Sequence, residues 1–128
     1  MYSNKVIIIL IILLYLCIGV SFAQRTVAVT VYHAVEEQCD STPDITASGF
    51  KIDLSNPYAQ RIIAISRDLK HEFPFGTKVR IAGIGKYSGI WTVQDVMNKR
   101  WTNKIDLLIN PGMRQGSWKN IKIYKYAD

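Results

Sequence analysis

Two aspartates stand where an aspartate is costly. Asp95 lies in Trp91-Thr-Val-Gln-Asp95-Val96, and Asp106 lies in Lys104-Ile-Asp106-Leu-Leu-Ile109. Both stretches otherwise read as apolar strands. A charged carboxylate there must be paired, hydrogen-bonded or protonated. Desolvation raises the pKa of an acid and makes it a proton donor usable near neutral pH, the requirement for a general acid. A carboxylate that accepts backbone N–H groups at a strand end would fit the same pattern in a purely structural role. The pattern alone leaves both readings open for each residue. Period-two alternation puts Asp95 on the face of Trp91 and Val93.

Other chemistries find little support. His33 and His71 are the only histidines, and neither stands at motif spacing to Cys39, so a thiol nucleophile and a metal site are not expected. Trp91 and Trp101 are candidates for stacking on sugar faces, against the plainer reading of Trp91 as core and Trp101 as loop cover. Lys99, Arg100 and Lys104 form a basic cluster, read either as a solvated face or as a lure for carboxylates. Lys104 precedes Asp106 by two residues; on the same face it would lower the Asp106 pKa, and at a strand edge it would point away.

The elements that must position these residues are short strands. Residues 26–34 alternate, with Val27, Val29, Val31 and His33 on one face. Residues 35–60 are polar and punctuated by Pro43, Gly49 and Pro57, a long connection. Strands are expected at 61–66, 78–81, 87–96, 104–109 and 120–126, with one helical turn over 68–73 capped by Asp68. Six short strands and no long helix make an all-β fold. A closed barrel is expected, because closure removes exposed edges.

The N-terminus reads as an export signal. Lys5 precedes the apolar run Val6–Val20, and Ser21-Phe22-Ala23 supplies a small-x-small cleavage site. The run is shorter than the about 20 apolar residues of a membrane span, so cleavage after Ala23 is expected rather than an anchor helix. Cys17 follows Leu16, where a lipoprotein needs a small residue. Removal of residues 1–23 from the 128 leaves one domain, 24–128, with formal charge reduced from +6 to +5 by loss of Lys5. It keeps Cys39 as its one cysteine, which excludes an internal disulfide. A basic exported domain suits an acidic partner.

An ordered series of motifs carries a family resemblance. Thr46-Ala-Ser-Gly49, Ile63-Ala-Ile-Ser-Arg-Asp68, Pro74-Phe-Gly-Thr-Lys-Val-Arg-Ile81, Val93-Gln-Asp95 and Lys104-Ile-Asp106-Leu107 together resemble the 3D (Asp-Asp-Asp) domain of bacterial cell-wall enzymes. The series is similar to the barrel domain of membrane-bound lytic transglycosylase A, and more distantly to the rare lipoprotein A family. The resemblance implies a six-stranded double-psi β-barrel and cleavage of peptidoglycan between N-acetylmuramic acid and N-acetylglucosamine, without a cofactor. It implies that Asp106 is the catalytic acid/base, that Asp95 lines the cleft and supports it, and that Thr46, with Ser48 in the same motif, contacts the glycan. The family's first aspartate is replaced by Ser66 here, and Asp68 either fills its role from a shifted position or caps a turn, the latter preferred. Val96-Met-Asn-Lys-Arg-Trp101 also departs from the family's Gly-rich loop.

The expected partner is therefore the glycan strand of peptidoglycan, met by a monomer in the periplasm or outside the cell, with neither nucleic acid nor membrane insertion after cleavage. Two other functions fit the same residues: a polysaccharide-binding module without turnover, and a secreted interaction domain that uses the basic face.

Overall fold

The computed structural model describes residues 4–5, 24–34 and 44–126. The apolar run, the cleavage site and Cys39 lie outside the described residues. Among the described residues no helix is long and apolar enough to cross a membrane.

Six strands form one sheet: β1 (Gln24–Tyr32), β2 (Ile62–Ile65), β3 (Lys78–Ile81), β4 (Gly89–Val96), β5 (Lys104–Leu108) and β6 (Ser117–Lys125). Their order is β1-β5-β2-β4-β3-β6, and β6 pairs with β1 as well as β3, so the sheet closes on itself. Two pairs are parallel, β1 with β5 and β2 with β4, and the remaining four are antiparallel.

Alternation builds the interior. Val27 and Val29, Ile63 and Ile65, Val79 and Ile81, Trp91 and Val93, Ile105 and Leu107, and Ile123 all point inward and are at most 1% exposed. Leu69 and Phe73 close one end of this core and Ile84 and Tyr87 the other. Strand β2 is buried along its whole length. Its outer face is covered near Ile62 by Ile52, which packs with Leu108 into a second, smaller apolar cluster. That is why Ile62-Ile-Ala-Ile65 reads as a continuous apolar run rather than an alternating one.

Strand β1 runs from Gln24 to Tyr32 rather than over 26–34, and three further differences from expectation have a visible cause. Strand β6 starts at Ser117, ahead of Asn120, because Trp118 turns inward opposite Val29 and packs on the core. Tyr87 belongs to a 3-10 turn (Gly85–Tyr87), where its ring fills the barrel end and its carbonyl accepts the Trp91 indole N–H at 2.8 Å. The turn expected over 68–73 is a 3-10 turn at Arg67–Leu69. Ser66 holds its N-cap position, and Asp68 does not cap it; the Asp68 carboxylate accepts the N–H of Asn103 instead, at 2.9 Å.

Candidate functional site

The two acids meet through β2. Ala64 pairs with Asp106 on one side and with Asp95 on the other, and Asp106 pairs in turn with Thr30 of β1. Partners in register share a face, so Asp95, Ala64, Asp106 and Thr30 form a row across four adjacent strands on the outside of the sheet. The one small side chain in Ile62-Ile-Ala-Ile65 lies in register between the two acids and is itself 5% exposed.

A bulge brings Asp95 into that row. The register steps from Ile63↔Val93 to Ala64↔Asp95, so β4 carries one extra residue, Gln94, at this point. The alternation of β4 therefore changes phase after Val93. Asp95 leaves the face of Trp91 and Val93, where strict period two put it, and Val96 packs on the core in its place.

The carboxylates are held differently. One oxygen of Asp95 accepts the backbone N–H groups of Val96 at 2.9 Å and of Ala47 at 3.0 Å. Two backbone donors fix the side chain. Asp106 accepts a hydrogen bond from the Thr30 hydroxyl at 2.9 Å. Burial raises its pKa; the Thr30 hydrogen bond and the Lys104 charge pull it back down, the Asp95 charge adds to the rise, and the balance lies above the ordinary carboxyl value. The row thus holds one anchored carboxylate and one carboxyl that retains its proton to higher pH.

The Thr46-Ala-Ser-Gly49 turn docks on one side of this pair. Ser48 donates its backbone N–H to the Gln94 carbonyl at 3.1 Å and its hydroxyl to the Gln94 side-chain oxygen at 2.7 Å. Thr46 and Ser48 share a hydrogen bond at 2.9 Å, and Thr46 Oγ1 accepts the Phe50 N–H at 3.1 Å. Thr46 itself is buried, at 4% exposure, so it shapes the turn, while Ser48 stands at the surface side. Gly49 closes the turn with φ +85°, a backbone conformation that favours glycine.

The opposite rim is aromatic and basic. Trp101 is 38% exposed, with Lys104 Nζ 3.7 Å from its ring centroid and the Arg100 guanidinium carbon at 4.9 Å. Lys104 lies one pair along β5 from Asp106 on the same side of the sheet, so it does not point away; its charge acts on Asp106. Asp68 supports this rim from behind. It binds the N–H of Asn103, whose side chain donates to the Thr26 carbonyl and accepts from Arg25 Nε. Burial acts to raise the Asp68 pKa, but the hydrogen bonds from Ser66, Asn103 and its own backbone, with the Arg25 charge, outweigh it and hold it below the ordinary value.

Of the residues expected at the site, Asp95, Asp106, Ser48 and Trp101 are accessible around one outer face, Thr46 supports it, and Asp68 anchors the adjacent loop. Trp91 has no place there. It is fully buried at the barrel centre, with Arg61 stacked over its ring at 4.7 Å, and offers no face to a sugar. Three contributors escaped the sequence. Thr30 was visible only as a polar alternation position, Ala64 only as the one small residue in an apolar run, and Gln94 not at all, because the bulge that exposes its role has no local signature. No three of His, Cys, Asp and Glu come together among the described residues. Compared with known proteins, the chain matches no family model and no curated protein.

Proposed function

We propose that the protein cleaves the glycan strand of peptidoglycan as a lytic transglycosylase, on a six-stranded double-psi β-barrel, with Asp106 as the single acid/base. The observation that carries this reading is the inequality of the two acids. Hydrolysis of a glycosidic bond ordinarily takes two working carboxyl groups, one as acid and one as base or nucleophile. Here burial raises the pKa of one carboxyl, and one oxygen of the other accepts two backbone N–H groups. A lytic transglycosylase needs only one, because the sugar's own 6-hydroxyl is the nucleophile.

The step balances without water. Asp106 gives its proton to the glycosidic oxygen as the bond from that oxygen to the anomeric carbon breaks. The 6-hydroxyl oxygen bonds to the anomeric carbon, and its proton returns to the Asp106 carboxylate. Attack within one sugar gains from proximity. Burial, with the Asp95 charge adding to it, lets Asp106 hold its proton to higher pH, Thr30 orients it, Ser48 borders the cleft and Trp101 stands at the basic rim beneath Lys104 and Arg100. The two parallel pairs, β1 with β5 and β2 with β4, suit the double-psi topology.

Incubation of the protein with purified sacculi tests the enzyme reading. Soluble fragments should accumulate, at a rate cut at least about a hundredfold in Asp106→Asn, the low end for loss of a general acid. Binding to sacculi with no release of fragments would leave a binding module in its place.

A further inference from the structure

A second groove lies at the end of the barrel closed by Tyr87. It encloses about 430 Å³ between the 3-10 turn at Gly85–Tyr87 and the segment leading into β6, and its walls include Lys86, Arg114, Gly116, Ser117 and Trp118. The groove is built rather than incidental. Tyr87 donates its hydroxyl to the Arg114 carbonyl, which ties the two walls together. Trp118 meets the Tyr87 ring edge-on at 5.8 Å. Gly116 lies directly against the Trp118 ring: a β-carbon there would stand 2.2 Å from it, so only glycine lets the indole lie where it does.

The charges of this groove are unspent. Lys86 and Arg114 are exposed, and Lys86 Nζ rests 5.2 Å from the Tyr87 ring centroid. Neither has a carboxylate partner among the described residues. Two cations beside a half-buried indole complement a ligand that carries carboxylates on a partly apolar body. Strand register links the groove to the acid row. Ser117, in its wall, pairs with Thr30, and Thr30 pairs with Asp106. Two strand spacings, about 10 Å, separate Ser117 from Asp106, a span that one disaccharide unit covers.

We infer that this groove binds the carboxylate-bearing peptide stem of the strand whose sugar backbone lies at Asp106, so that Lys86, Arg114 and Trp118 form a subsite for the acidic substituent. The inference rests on the function proposed above. Its occupant is an acidic peptide on a saccharide, and neutral glycan gains nothing from the groove.

The test uses two probes, a disaccharide-tetrapeptide muropeptide and the same compound with its carboxyl groups amidated. They are titrated into isotope-labelled Asp106→Asn protein, which leaves the probe intact, while the indole N–H resonances of the tryptophans are followed. The acidic probe should shift the Trp118 indole and bind about tenfold more weakly after Lys86→Met with Arg114→Met, the loss of two exposed charge contacts. The amidated probe should be insensitive to that double substitution. Gly116→Ala, which must displace the indole, should weaken the acidic probe with both cations in place. Equal binding of the two probes, or a shift at Trp101 with none at Trp118, would overturn the inference. Parallel digestion of sacculi separates the two claims: a Trp118 response without release of fragments by wild type keeps the groove and removes the enzyme. Release by wild type with no Trp118 response does the reverse.

Discussion

Asp106 is raised by burial and by the charge of Asp95, and restrained by Thr30 and Lys104. These opposing influences give predictions of opposite sign. Asp95→Asn removes a negative neighbour and should lower the Asp106 pKa. Lys104→Met removes a positive one and should raise it. As a general acid, Asp106 is active while protonated, so the alkaline limb of the pH–rate profile should move down in the first variant and up in the second. Carbon-13 titration of the Asp106 carboxyl checks this without reference to activity, and movement in the same direction in both variants would contradict it. Stability follows from the same shift. With its folded pKa above the unfolded one, Asp106 makes the native state bind the extra proton, so stability falls as pH rises through that interval. Asp106→Asn removes the penalty while keeping an oxygen to accept from Thr30. Its melting temperature at pH about 7 should exceed that of wild type by a few degrees, and the difference should vanish in acid below the ordinary value of 3.8.

At the scale of elements, the site depends on β2 as the strand between two acids. Ala64 is 5% exposed and faces outward between Asp95 and Asp106. Ala64→Leu should crowd the two acids and suppress fragment release by at least about a hundredfold, matching the loss of the acid itself. The fold should survive, since crowding one side chain costs about 1–3 kcal/mol. Circular dichroism with the sacculus assay checks both halves; full activity in a folded Ala64→Leu protein would remove β2 as the floor of the cleft. The six strands themselves were legible, because period-two alternation is local and each strand lends the core one or two apolar side chains. The pairing was not. Thr30 and Asp106 are joined by a parallel ladder between residues far apart in the chain, and the bulge at Gln94 reverses the face of Asp95 without any Gly or Pro to mark it. Trp91 was ambiguous for a related reason. An inward tryptophan on a barrel strand and an outward one differ by a single residue of phase.

For the whole molecule, the full chain carries a formal charge of +6, and several of its basic residues gather at two places on the closed sheet. Lys99, Arg100 and Lys104 stand at one rim of the acid row, and Lys86 and Arg114 line the second groove. Binding to sacculi should therefore weaken as salt rises from about 0.05 to 0.5 M, where screening lengths fall well below the width of the domain. Sedimentation with sacculi across that range checks it, and salt-independent binding would point to stacking alone. The central claim, that one carboxyl does the work of two because the sugar attacks itself, is tested most directly by mass spectrometry of fragments released from sacculi by wild type and by Asp106→Asn. The predicted result is release by wild type of fragments ending in 1,6-anhydromuramic acid, with none above background from the variant. Reducing ends from wild type would contradict it, since water would then be the nucleophile and a second carboxyl, in this row Asp95, would be needed to activate it.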